Sequence, residues 1–298
     1  MLKAPLFTGV CTALVTPFHD GKVNYPMLEQ LLRRQMDAGI KAVVIAGTTG
    51  EAPTLSDCEK LTLFKRAKDY TKGNCKIIAG TGSNSTQHAV DLSCAAEEAG
   101  ADSLLVVSPY YNKATNDGLI AHYGCIAQHV NIPVIIYNVP GRTGLDIPVS
   151  VYQKLSCIPE IVGVKEASTD ITKITEIRDT CGPDFSIWTG NDTHITPAVS
   201  LGCSGVISVL SNLYPLETRW MTEAALDGDF DTASDLQTKF RELLQLLFKQ
   251  VNPIPVKAAM RLAGYDCGEC RLPLTRPDEA LQRELEACWK RRSATFNC

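Results

Sequence analysis

The stretch Ile161-Val-Gly-Val-Lys-Glu-Ala-Ser168 is apolar and β-branched enough to read as a buried strand, with Lys165 standing inside it. Seven more runs of the same kind surround it. Val10–Phe18, Ala42–Gly50, Lys76–Ser83, Ser103–Tyr111 and Pro133–Pro140 precede it; Ser186–Asp192 and Gly205–Asn212 follow. Between them lie segments of helical periodicity. Tyr25–Gly39 sets Leu28, Leu31, Leu32 and Met36 at helical spacing and closes on glycine, and Ser85–Gly100 repeats the pattern with Ala89, Leu92 and Ala96. Strand and helix alternate about every 25 to 30 residues, eight times, as parallel βαβ units require. Several strands are apolar on both faces, which suits strands held between a barrel interior and outer helices. The reading is an α/β fold: a (β/α)8 TIM barrel over residues 1–224. Beyond about residue 225 the strand signals stop, and Phe230–Gln250, Val256–Ala263 and Asp278–Lys290 predict a C-terminal helical segment over 225–298.

Composition narrows the function. A formal net charge of -4 gives no electrostatic footprint for nucleic acid. No run approaches the roughly 20 apolar residues of a membrane span, and the start Met1-Leu-Lys-Ala-Pro-Leu-Phe7 has no long apolar region. The expectation is a cytoplasmic protein with no membrane partner. The cysteines are scattered and mostly in apolar contexts, as for Cys94, Cys125 and Cys203, so they read as reduced small hydrophobes. Cys267-x-x-Cys270 is a lone close pair, a weak zinc or redox signal. The histidines His19, His88, His122, His129 and His194 lack metal-ligand spacing, and no Gly-x-Gly-x-x-Gly opens the first unit. Neither a metal nor a dinucleotide cofactor is expected.

In a barrel enzyme the reacting groups sit where the strands end and in the loops that follow. The unusual residues fall there. An apolar surround disfavours an ammonium, and the neutral amine is the nucleophile for Schiff-base chemistry with a carbonyl compound. The competing reading of Lys165 is a strand-end lysine reaching solvent or pairing with Glu166. Gly47-Thr-Thr-Gly-Glu51 offers glycine-flanked hydroxyls for a carboxylate, and Ser108-Pro-Tyr-Tyr-Asn112 offers two phenols. Tyr137-Asn-Val-Pro-Gly-Arg-Thr-Gly144 places Tyr137 on the strand beside Lys165, within reach for proton transfer. Arg142 in its Pro-Gly turn suits a carboxylate bound through two parallel hydrogen bonds. Thr189-Gly-Asn-Asp192 and Gly205-Val-Ile-Ser208 complete the ring.

Together, Gly47-Thr-Thr-Gly-Glu51, Tyr137-Asn-Val-Pro-Gly-Arg142, Gly163-Val-Lys-Glu166 and Asn252-Pro-Ile-Pro-Val-Lys257 resemble the pyruvate-dependent class I aldolases of the dihydrodipicolinate synthase and N-acetylneuraminate lyase superfamily. The likeness runs from about residue 7 to about residue 275, and Pro140-Gly-Arg-Thr143 matches the dihydrodipicolinate synthase branch. That branch condenses pyruvate with L-aspartate 4-semialdehyde in lysine and diaminopimelate biosynthesis. The resemblance implies that Lys165 forms the imine and that Tyr137 relays protons with Thr48 and Tyr111, the last reaching in from a neighbouring subunit. Thr48 and Thr49 would hold the pyruvate carboxylate and Arg142 that of the aldehyde, while Gly190 and Ile207 would line the pocket. It further implies a homotetramer of two tight dimers and no cofactor. A sister enzyme acting on sialic acid or a 2-keto-3-deoxy sugar acid would share Lys165 and Tyr137 but want a polyol pocket in place of Arg142. A non-catalytic barrel would form no covalent adduct.

One departure stands out. Lysine-inhibited members carry histidines just beyond the Gly-Thr-Thr-Gly-Glu motif and a glutamate after the third strand. Here Asp57, Lys60 and His88 stand at those places, while Ala52, Asn84 and Tyr110 remain compatible. Lys60 sets a positive charge where a cationic inhibitor would bind, so weak or absent feedback is expected.

Overall fold

The computed structural model describes residues 5–296. Eight strands close into one parallel barrel: β1 (Gly9–Ala13), β2 (Ala42–Ile45), β3 (Lys76–Gly80), β4 (Ser103–Val107), β5 (Val134–Asn138), β6 (Ile161–Glu166), β7 (Ser186–Thr189) and β8 (Gly205–Ser208). Each pairs with the next, and β8 returns to β1 with Gly9 opposite Gly205. The eight runs read from sequence are all present. Every one stops short of its expected C-terminal end, because the chain leaves the ladder there to form the loops of the mouth.

The strands are buried on both faces for two reasons. Alternate side chains point into the barrel, where Cys11, Val44, Ile78, Leu105, Ile135, Tyr137, Trp188 and Ile207 form one apolar cluster. Phe7, just ahead of β1, caps that cluster by stacking on Trp188 at 4.8 Å between ring centroids. The intervening side chains, Val43, Ile77, Val106, Ile136 and Val164 among them, pack outward against the helices.

Those helices are cut by ordinary signals. Tyr25–Asp37 begins where Asn24 accepts a hydrogen bond from the Met27 amide, and it buries Leu28, Leu31 and Leu32. Each fully buried leucine contributes about 2 kcal/mol. Asp57–Thr71 opens with a capping box, in which Ser56 Oγ accepts from the Glu59 amide and Glu59 accepts from the Ser56 amide. Pro215–Leu226 completes the eighth unit. Phe230–Leu247, Ile254–Leu262 and Glu279–Phe296 then form the C-terminal helices; the first packs on Pro215–Leu226 and the third on both others. The stretch from Asn252 to Met260 is buried throughout. It brings the C-terminal segment back onto the mouth of the barrel.

Candidate active site

Register decides the geometry. Tyr137 on β5 and Lys165 on β6 are direct Cα partners, and so are their successors Asn138 and Glu166. Because side chains alternate along a strand, the first pair faces the barrel interior and the second faces the outer layer. Lys165 is only 5% exposed, and its Nζ lies 4.3 Å from the centroid of the Tyr137 ring. Among the described residues no carboxylate stands within ion-pair distance of it. Glu166 is not its partner. That carboxylate accepts from Asn138 Nδ2 at 2.9 Å, the Ser168 amide at 2.8 Å and the Tyr152 hydroxyl at 3.3 Å, with Lys173 Nζ at 3.8 Å.

Gly190 lies against the lysine stem. A methyl group there would stand 2.9 Å from Lys165 Cε and 2.6 Å from Ala167 Cβ, so the missing side chain leaves the stem its channel. Ile207 is fully buried in the interior cluster. Of the two expected pocket residues, Gly190 thus stands against Lys165 and Ile207 belongs to the barrel interior.

The loop after β2 is built under strain. Ala46 and Glu51 adopt φ of 53° and 58°, conformations that cost non-glycine residues about 1 kcal/mol each. Gly80 permits this course, since a Cβ there would come within 2.2 Å of the Ala46 carbonyl oxygen. Thr48 is thereby brought to the wall of a cavity of about 260 Å³ that Tyr137, Arg142, Val107 and Tyr110 also line. Thr49, next to it, is buried, and its Oγ1 accepts from Asn252 Nδ2 at 2.9 Å. Arg142 sits in the single turn Pro140–Thr143 after β5, and its Nη2 donates to the Asn252 carbonyl at 3.1 Å.

Tyr111 is the expected site residue that one chain does not bring in. It is 92% exposed, on a backbone of φ 71°, while its neighbour Tyr110 lines the cavity. Without it, Lys165 meets Tyr137 and Gly190, Tyr137 shares the cavity wall with Thr48 and Arg142, and Asn252 links Thr49 to Arg142.

Three features escaped the sequence reading. Glu51 and Lys257 form a buried ion pair behind the threonine loop, with Nζ 2.6 Å from Oε1 but off its hydrogen-bonding direction. Glu51 Oε2 accepts the Arg271 amide at 2.8 Å, and the Phe18 ring lies under both Lys257 and Arg271. Asp192 is fully buried and accepts the Val209 and Leu210 amides at 2.8 and 3.2 Å; burial pushes its carboxyl above the usual range. Asn252 touches two expected site residues at once. A polar residue ahead of Pro-x-Pro was the available signal, but nothing local says what it reaches. Burial pushes the Cys267 and Cys270 thiols up to about 12, which disfavours the reactive thiolate.

Of the residues expected to govern lysine feedback, Ala52, Lys60, His88 and Tyr110 line the same cavity, and Asp57 stands behind two of them. Asp57 sits between Lys60 Nζ at 3.1 Å and His88 Nε2 at 2.8 Å, and His88 Nδ1 lies 3.1 Å from Ser83 Oγ. Burial opposes ionisation of Asp57, but the hydrogen bonds from His88 and Lys60 outweigh it and hold the carboxyl below its ordinary range.

A profile of the dihydrodipicolinate synthetase family matches residues 6–292. The chain belongs to that family. One member, 4-hydroxy-tetrahydrodipicolinate synthase of Acetivibrio thermocellus, is 45% identical over 92% of this chain and 93% of its own length. Among solved members, dihydrodipicolinate synthase from Aquifex aeolicus superposes with a TM-score of 0.94 at 41% identity, covering 96% of this chain and 98% of that one. The chloride-inhibited enzyme from Acinetobacter baumannii, solved with pyruvate, gives 0.93 at 38% identity over 95% of this chain and 98% of its own. Family membership confirms the barrel and the superfamily expected from the motifs. Among the described residues no helix is long and apolar enough to cross a membrane.

Proposed function

We propose that the protein is a 4-hydroxy-tetrahydrodipicolinate synthase, condensing pyruvate with L-aspartate 4-semialdehyde. The observation that carries this is a buried lysine with no carboxylate partner among the described residues, set against a tyrosine ring in the interior beside a cavity walled by Thr48 and Arg142. The free amine of Lys165 attacks the keto carbon of pyruvate, and water leaves as the imine forms. The protonated imine withdraws electrons, so a methyl proton departs and a nucleophilic enamine results. That carbon adds to the aldehyde, whose oxygen takes up a proton. The amine of the second substrate then attacks the imine carbon, closes the ring and releases Lys165.

Tyr137 carries the protons in this reading, which the contact of its ring with the Lys165 amine supports. Thr48 and Thr49 hold the pyruvate carboxylate, and Arg142 holds that of the aldehyde through its free N–H groups. Tyr111, exposed in one chain, completes the relay in a neighbouring copy, which calls for a tight dimer; the reading extends to a homotetramer of two such dimers in the cytoplasm. In this reading residues 1–224 are the catalytic barrel, and residues 225–298 are a helical segment that serves the same site.

Borohydride reduction in the presence of pyruvate tests the reading. A mass increase on Lys165, with turnover of aspartate semialdehyde in a coupled assay, is the expected result. An unchanged mass removes the mechanism. An adduct together with cleavage of N-acetylneuraminate and no synthase turnover transfers the protein to the sister activity.

A further inference from the structure

We propose that Asn252 is a positioning residue that couples the two carboxylate-binding arms of the site. The inference rests on the synthase reading, because that reaction brings two carboxylates to one mouth. Thr49 lies on the loop after β2 and Arg142 on the turn after β5, and among the described residues no hydrogen bond joins those segments directly. Asn252 touches both. Its Nδ2 donates to Thr49 Oγ1 at 2.9 Å, and its backbone carbonyl accepts from Arg142 Nη2 at 3.1 Å.

The direction of each bond matters. A hydroxyl has one proton to give and two lone pairs to receive. Thr49 spends a lone pair on Asn252, so its own proton is left for an acceptor, and a carboxylate is such an acceptor. Arg142 spends one of its five N–H groups on the Asn252 carbonyl, which fixes the guanidinium plane and leaves donors for a second carboxylate. Asn252 Oδ1 is buried without a partner among the described residues, so the amide is anchored through Nδ2 alone.

Asn252 is itself held rigidly. It opens the buried run that ends at Met260, and Lys257 in that run pairs with Glu51 at 2.6 Å, on the loop that carries Thr49. A shift of this segment therefore moves both arms together.

Two variants test the idea, with pyruvate as one probe and aspartate semialdehyde as the other. Asn252→Ala deletes the amide bond to Thr49 but keeps the carbonyl that receives Arg142, so the pyruvate concentration for half-maximal borohydride trapping should rise about fivefold and the KM for the aldehyde about twofold through the loosened backbone, with kcat changing less than about threefold. Asn252→Asp is the sharper variant because its shape is unchanged. Its carboxylate would take the Thr49 proton and set a negative charge beside both substrates, so half-saturation should rise above that of Asn252→Ala by about fivefold again. A purely structural role predicts the reverse order, with the isosteric aspartate close to wild type. That order overturns the proposal, as does a change in one substrate alone. Should Asn252→Ala fail to fold, the comparison of Asn252→Asp with wild type decides by the same criterion. Absence of any adduct in the wild-type protein brings down the synthase reading itself, whereas a normal adduct with an unmoved Asn252→Asp removes only this inference.

Discussion

Lys165 and Lys257 are equally buried, at 5% and 3% exposure, yet they are opposite kinds of residue. Lys257 meets Glu51 at 2.6 Å and rests on the Phe18 ring. Lys60 and Lys173, also buried, have carboxylates of their own in Asp57 and Asp146. Lys165 has an aromatic face and no counter-ion among the described residues. A buried charge must be paired or neutralised, since its desolvation is otherwise uncompensated. Three of these lysines meet that demand by pairing, and their role is to hold structure. The fourth stands against an aromatic face without such a partner among the described residues, the position a covalent role calls for.

Replacing each lysine should therefore break a different property. Lys165→Ala should lower kcat by about four orders of magnitude, since the covalent route is gone. Its melting temperature should hold or rise, because a costly polar group has been removed from the interior. Coupled turnover and thermal unfolding measured on one preparation check both halves, and retained turnover ends the distinction. Lys257→Met should show the opposite signature. It strands the Glu51 carboxylate and should cost about 3 kcal/mol in denaturant unfolding. Adding Glu51→Gln should return most of that loss. If the double variant is no more stable than the single one, the pair is not the source of the penalty.

The contrast also explains what could be read in advance. The eight strands were legible because apolar, β-branched runs recur at a fixed interval, and Lys165 was conspicuous because it interrupts one of them. Strand ends were less so. Ala46, Ser108 and Val139 continue their runs in character, but the chain has already left the ladder at Ile45, Val107 and Asn138. Burial at the mouth needs no strand. Lys257 and Asn252 fall within one motif but carry no role readable from it, because Glu51, Thr49 and Arg142 lie far away along the chain. Pairing between distant segments leaves no periodicity. Glu166 looked like the natural partner for Lys165, and alternation along β6 sends it to the other face.

Lys60 extends the comparison to regulation. It is a paired lysine, but it lines the cavity, so its charge remains part of the surface that a cationic ligand meets. Free lysine at about 1 mM should inhibit by less than half, because like charges at close range oppose binding. Initial rates across a lysine titration check this. Half-maximal inhibition at lower concentration would mean that Asp57, held ionised by His88 and Lys60, dominates the local field instead.

The smallest expected effect concerns a pair at the rim of the same segment. Arg271, which places its amide on Glu51, also binds Glu59 with its guanidinium at 2.6 and 2.9 Å. Hydrogen bonding from Arg271 lowers the Glu59 carboxyl from 4.5 to about 2. A carboxylate whose folded value lies below its unfolded one stabilises the fold fully above the unfolded value, and the benefit is lost as pH falls through the folded value. The window is therefore about 4.5 down to about 2. Glu59→Gln suits the test because glutamine can still close the capping box with Ser56, so what is removed is the charge and one of the two acceptors that Arg271 uses. The side chain is 27% exposed, and screening should reduce the contribution to about 1 kcal/mol. Wild type should melt above Glu59→Gln at neutral pH, and the two curves should converge through the window. Curves that stay parallel would show that the arginine stabilises through its backbone amide and its stacking on Phe18, with its charge contributing nothing.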